Sequence, residues 1–115
     1  MLQVDDLHVV YKGEGGEVHA VRGVSFTVET GEFFTLLGPS GCGKTSILRS
    51  IAGLETPSSG RIVVDDTVVY NQNARSALPT HRRPIGMVFQ SYAIWPHMTV
   101  FNNVAFPLVH GNSRL

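Results

Sequence analysis

The chain has a single cysteine, Cys42, among 115 residues, so no internal disulfide framework is open to it and a reducing cytosol suits it best. Charge of one sign is also lacking. Nine Lys plus Arg balance nine Asp plus Glu, which leaves no basic field to hold nucleic acid or an anionic bilayer by charge alone. No apolar run approaches the roughly 18 residues that a membrane-spanning helix needs, and no basic-then-apolar leader opens the chain. Any membrane role is therefore expected to come through partner subunits. The histidines, His8, His19, His81, His97 and His110, are scattered without the spacing of zinc ligands. What is present, 43% apolar residues, suffices for one small hydrophobic core, hence one domain or part of one.

Leu2 to Tyr11 and Val21 to Thr30 are valine-rich and partly alternating, and Lys12-Gly-Glu-Gly-Gly16 between them supplies turn chemistry, so two antiparallel strands are expected. Phe33-Phe-Thr-Leu-Leu37 is a short continuous apolar run of the kind buried on both faces of a sheet. After it, Ile47, Leu48, Ile51, Ala52 and Leu54 recur at helical spacing from Lys44 onward, with Gly53 and Pro57 as stop signals. Arg61-Ile-Val-Val and Val68-Val-Tyr70 read as a hairpin turning at Asp65-Asp66-Thr67. Asn71 to Pro84 is polar and ends in proline, which predicts a surface loop. Ile85 to Phe89 predicts a further strand ending at Gln90, and Thr99 a cap for a short helix through Ala105 that Pro107 ends. The order of elements is that of an α/β fold.

Between the apolar run and the helix lies Gly38-Pro39-Ser40-Gly41-Cys42-Gly43-Lys44-Thr45, which fits the phosphate-loop (Walker A) pattern of a glycine, four variable residues and Gly-Lys-Ser/Thr. Each position has a physical reason. Glycines let the backbone curl until successive N–H groups face one anion, and the helix that follows, opening through Ser46, adds the positive end of its dipole. Lys44 is expected to reach the β- and γ-phosphates and the Thr45 hydroxyl to ligate Mg²⁺. Cys42 stands at a variable position, where its backbone N–H matters rather than its thiol. Ile62-Val-Val-Asp65-Asp66 resembles an apolar strand ending in an acidic pair, but it runs through Thr67 into another strand, so its aspartates read as turn residues.

Four stretches around this loop resemble the ATP-binding cassette (ABC) family of transporter ATPases, importer type. Tyr11 precedes the loop by the interval at which that family places an aromatic residue to stack on adenine. Val24 to Glu32 is similar to the family's lead-in to the loop, and Gly53-Leu-Glu-Thr-Pro-Ser-Ser-Gly60 to the link after its helix. Gly86-Met-Val-Phe-Gln90 resembles the Q-loop, whose glutamine ligates Mg²⁺ and senses the γ-phosphate. Ser91 to Pro107 is similar to the following stretch in importers of polyamines, ferric iron and related solutes, where it helps form a groove for a coupling helix. Tyr92, Trp95 and Met98 suit such a groove or ordinary core packing equally. His97 is not the family's switch histidine.

The resemblance implies a P-loop NTPase core with an N-terminal antiparallel β subdomain, incomplete: residues 1–115 as the N-terminal part of a nucleotide-binding domain, Walker A through Q-loop. It implies ATP and Mg²⁺ as cofactors. Its implied partners are transmembrane permease subunits, a second ATP-binding subunit in a dimer and, indirectly, a solute-binding protein, with no nucleic acid. Its implied location is peripheral, at the cytoplasmic face of the cell membrane. The 115 residues contain no Leu-Ser-Gly-Gly-Gln-like signature, no later strand ending in an acidic pair and no switch histidine. The expectation is therefore a nucleotide cradle with doubtful hydrolysis on its own, carrying an unpaired sheet edge prone to association. The alternative reading is an inactive or non-catalytic nucleotide-binding remnant.

Overall fold

The computed structural model describes residues 1–39, 41–73, 76–89 and 94–110. Strands β1 (Leu2–Gly13) and β2 (Gly16–Val28) pair antiparallel, with Gly13 opposite Gly16 across a two-residue turn. Both strands are longer than their valine patterns suggest, because the turn is confined to Glu14 and Gly15. Helix α1 (Lys44–Ala52) follows, then β3 (Ser59–Val64), β4 (Thr67–Asn71) and a two-residue β5 (Ser76–Ala77). The five strands form one antiparallel sheet in the order β2-β1-β3-β4-β5.

In β1, Val4, Leu7 and Val9 are all buried although Val4 and Leu7 are three positions apart, which a strict period of two forbids. A bulge resolves this. Pairing shifts between Val4 and Leu7, and Asp6 takes φ 45° there while its N–H donates to Ser25 Oγ at 2.8 Å. Gly60 of β3 crosses the bulge so closely that a Cβ would lie 2.7 Å from the Asp6 carbonyl oxygen. The β3–β4 turn has positive φ at both Asp65 and Asp66, 45° and 66°, the pattern of a type I′ hairpin. These aspartates are turn residues, as their sequence context indicates.

The core joins Val4, Leu7, Val9, Val21, Ile62, Val64, Val69 and Tyr70 of the sheet to Ile47 and Ile51 of α1. Spacing of four along α1 puts both isoleucines on one face. Gly53 ends the helix with φ 88°, and the N–H groups of Gly53 and Leu54 return to the Ser50 and Arg49 carbonyls, a Schellman-type stop.

Four expectations change. Residues 33–37 are not a strand: Phe33 and Leu37 are almost fully exposed, Phe34 stacks on Phe26 at 4.9 Å, and Leu36 packs partly buried against the core. Residues 85–89 are likewise not a strand, with Val88 exposed. A doubly buried strand needs hydrogen-bonded neighbours on both edges, and none of the five described strands pairs with either run. The 71–84 segment is no plain loop, since it holds β5, a turn of 3-10 helix (Thr80–Arg82) and the buried Arg83. Finally, α2 (Val100–His110) runs through Pro107 instead of ending there. No residue of α2 is buried, so water can bond the carbonyl left without a donor. Thr99 does cap it, Oγ1 accepting from the Asn102 N–H at 3.1 Å. No described helix is long and apolar enough to cross a membrane.

Candidate functional site

The end of β1, the start of β2 and the start of α1 enclose an open cavity of about 520 Å³ lined by Tyr11, Val18, His19, Ala20, Gly41, Gly43, Lys44, Thr45 and Ser46. The hairpin register creates one wall. Tyr11 pairs with Val18 and Val10 with His19, so the aromatic and its cross-strand neighbours arrive together.

The glycine loop forms the other wall. Gly41 and Gly43 hold φ 81° and 97°, left-handed conformations that a side chain disfavours. Gly43 is doubly constrained, because a Cβ there would collide with the Ala20 carbonyl oxygen of β2. At Gly38 a Cβ would meet Cys42 Sγ at 2.6 Å, so the thiol fills the space that Gly38 leaves. The Cys42 N–H closes a turn onto the Pro39 carbonyl at 3.3 Å. The Lys44 ammonium donates to the Gly38 carbonyl, arching back over the loop.

At the start of α1, Gly43 provides no side-chain cap and the first turn carries no acidic residue. First-turn N–H groups with no side-chain acceptor, next to a lysine and on the positive helix end, suit an anion. The exposed Thr45 hydroxyl lines the same cavity, an oxygen donor of the kind a hard divalent cation takes. The residues present thus fit a phosphate with its magnesium ion.

Tyr11 is tied down at its hydroxyl. It donates to Glu55 Oε2 at 2.6 Å and lies 2.8 Å from Ser46 Oγ. A phenol has one hydrogen to give, so with Glu55 receiving it the Ser46 hydroxyl donates to the phenol oxygen. Burial, and then the Glu55 carboxylate, push the Tyr11 phenol above its ordinary pKa. Arg49 Nε stands 3.8 Å from Glu55 Oε2.

Of the residues expected from sequence, Tyr11, Gly41, Gly43, Lys44, Thr45 and Ser46 meet in this cavity, while Gly38, Pro39 and Cys42 support it from the loop. Ser40, Gln90 and Tyr92 lie outside the described residues. Trp95 packs on Phe106 of α2 with centroids 4.3 Å apart, and Asn103 pins it by accepting from its N–H at 2.9 Å. Met98 is partly buried and His97 is exposed. Val18, His19, Ala20 and Glu55 were not foreseen. Counting back from a turn at Glu14-Gly15 would have put Val18 opposite Tyr11; nothing in the linear sequence marks Glu55.

A family profile described as ABC transporter matches residues 21–114. The trehalose/maltose import ATP-binding protein MalK of Thermococcus litoralis is 58% identical over 93 residues, which cover 81% of this chain and 25% of that protein. The spermidine/putrescine import ATP-binding protein PotA of Nitrosomonas eutropha is 56% identical over 93 residues, 81% of this chain and 24% of that one. The chain thus spans about a quarter of the length of these curated relatives. Among solved structures, the dimeric bacterial ABC transporter cassette MJ0796 superposes with TM-score 0.82 at 28% identity, over 97% of this chain and 48% of that one. The same cassette in a dimeric post-hydrolysis state bound to ADP and Pi gives TM-score 0.82 at 28% identity, over 100% of this chain and 50% of that one.

Proposed function

The chain belongs to the ABC transporter family, and from that premise we propose that residues 1–115 are the N-terminal part of the nucleotide-binding domain of an importer's ATP-binding subunit. The observation that carries this reading is the single cavity in which Tyr11 of the hairpin faces the glycine loop and Lys44 at the start of α1. Adenine stacks on the Tyr11 ring, the loop amides and Lys44 hold the phosphates, and Thr45 binds Mg²⁺. Gln90 contributes to the metal and the γ-phosphate. Two such subunits sandwich ATP as a dimer, and binding and hydrolysis drive solute uptake through transmembrane permease subunits. The subunit sits peripherally at the cytoplasmic face, with a solute-binding protein acting only indirectly. The relatives are named for sugar and polyamine import at nearly equal identity, so likeness does not select a solute.

One observation favours the second reading, a nucleotide binder without turnover. No carboxylate is among the described residues lining the cavity, whereas attack by water needs a group to position it. Calorimetry with MgATP on the chain and on Lys44→Ala tests the first reading. Loss of affinity in the variant is expected, and unchanged affinity contradicts the assignment. ATP turnover after reconstitution with permease subunits would eliminate the second.

A further inference from the structure

The Tyr11 ring projects from a strand end, yet its hydroxyl is held from two separate places on the chain. Ser46 lies in the first turn of α1, and Glu55 lies beyond the helix end, past the reversal at Gly53. The reversal sends the Glu55 carboxylate back along α1, where it is only 22% exposed and lies 3.8 Å from Arg49. The Tyr11–Glu55 bond joins residues 44 positions apart. It ties the β1–β2 hairpin to the segment just past α1, while the Ser46 bond ties the hairpin to α1 itself.

We infer that Glu55 is a positioning residue for nucleotide binding: by accepting the Tyr11 hydroxyl hydrogen it holds the ring at a set distance from the glycine loop, making a preformed seat for a purine base. This rests on the reading of the cavity as an ATP site. A hydrogen bond to a charged acceptor is short and strong, and a ring already held in its bound orientation loses little freedom when the ligand arrives. Ser46 adds the second restraint, and the arrangement makes base recognition separable from phosphate recognition, since Glu55 is not among the described residues that line the cavity.

The test compares binding of ATP and of inorganic tripolyphosphate by calorimetry for the full chain, Glu55→Ala, Glu55→Gln and Tyr11→Phe. Glu55→Ala and Tyr11→Phe are expected to weaken ATP about three- to tenfold while leaving tripolyphosphate binding unchanged. Glu55→Gln, whose amide oxygen still accepts, is expected to recover most of the ATP affinity. Tripolyphosphate binding reports that the loop is folded in each variant. If Glu55→Ala leaves ATP affinity intact, or weakens both ligands in equal proportion, the positioning role is overturned. If the unaltered chain binds tripolyphosphate but gains nothing from the adenosine of ATP, the adenine seat itself is wrong. If it binds neither, the reading of the cavity fails and the positioning role that rests on it is overturned with it.

Discussion

The Arg83 guanidinium donates from Nη1 to the Ser50 carbonyl oxygen at 2.7 Å, across 33 positions of sequence. The same nitrogen reaches the Ile51 carbonyl at 3.1 Å, and Nε donates to the Leu78 carbonyl at 2.9 Å. A charged side chain that is only 7% exposed thus closes the C-terminal end of α1 and ties the 78–85 segment to it. Positive charge at a helix C-terminus also complements the helix dipole.

Replacing Arg83 by alanine removes the guanidinium donor from the Ile51 and Leu78 carbonyls and leaves the Ser50 carbonyl with only the Gly53 N–H, and the expected loss is about 1–3 kcal/mol of unfolding free energy. Urea unfolding followed by circular dichroism measures it. Arg83→Lys is expected to recover only part, because an ammonium cannot reproduce the forked geometry.

Gly43→Ala places a methyl group against the Ala20 carbonyl in a left-handed backbone conformation. The strain alone is about 1–2 kcal/mol, and the collision adds to it, so the loop must shift away from β2. A lowered melting temperature and at least tenfold weaker MgATP binding are expected; a variant with native affinity would show that the contact with Ala20 does not shape the site.

Stability should fall in alkali. Burial raises the phenol pKa of Tyr70, whose hydroxyl donates to the Pro57 carbonyl at 3.0 Å, and Tyr11 shifts in the same direction. An acid whose pKa is raised by folding contributes stability that is fully present below its unfolded value, about pH 10, and is lost as pH rises through the folded value. Urea midpoints are expected to be level up to about pH 9.5 and to drop above it. Tyr70→Phe should flatten that drop while costing about 1 kcal/mol at neutral pH from the lost hydrogen bond.

Phe33 and Leu37 are exposed at 102% and 93%, and large apolar side chains left open to water invite association. The double variant Phe33→Ser with Leu37→Ser is expected to leave the unfolding free energy within about 0.5 kcal/mol of the parent and to lower light scattering at high concentration. A large loss of stability would mean that these side chains are packed in solution.

The sequence by itself determined the features whose causes are local. The glycine loop and its helix follow from left-handed glycines, helical spacing and the Gly53 stop, and the hairpins follow from turn residues and strand pattern. The loop pattern pointed to Lys44 and Thr45 together, Tyr11 was tied to them only by the resemblance to the ABC family, and the three do line one cavity. Tertiary structure decided the rest. Phe33 to Leu37 and Ile85 to Phe89 carry strand-like runs, but a strand exists only through hydrogen bonds to a neighbour, and none of the five described strands pairs with either. A buried arginine and a tethered tyrosine are equally invisible in one dimension. Arg83 meets Ser50, and Tyr11 meets Glu55, only after the sheet and α1 have packed, because a side chain's partner is set by where the backbone carries it and not by its place in the chain.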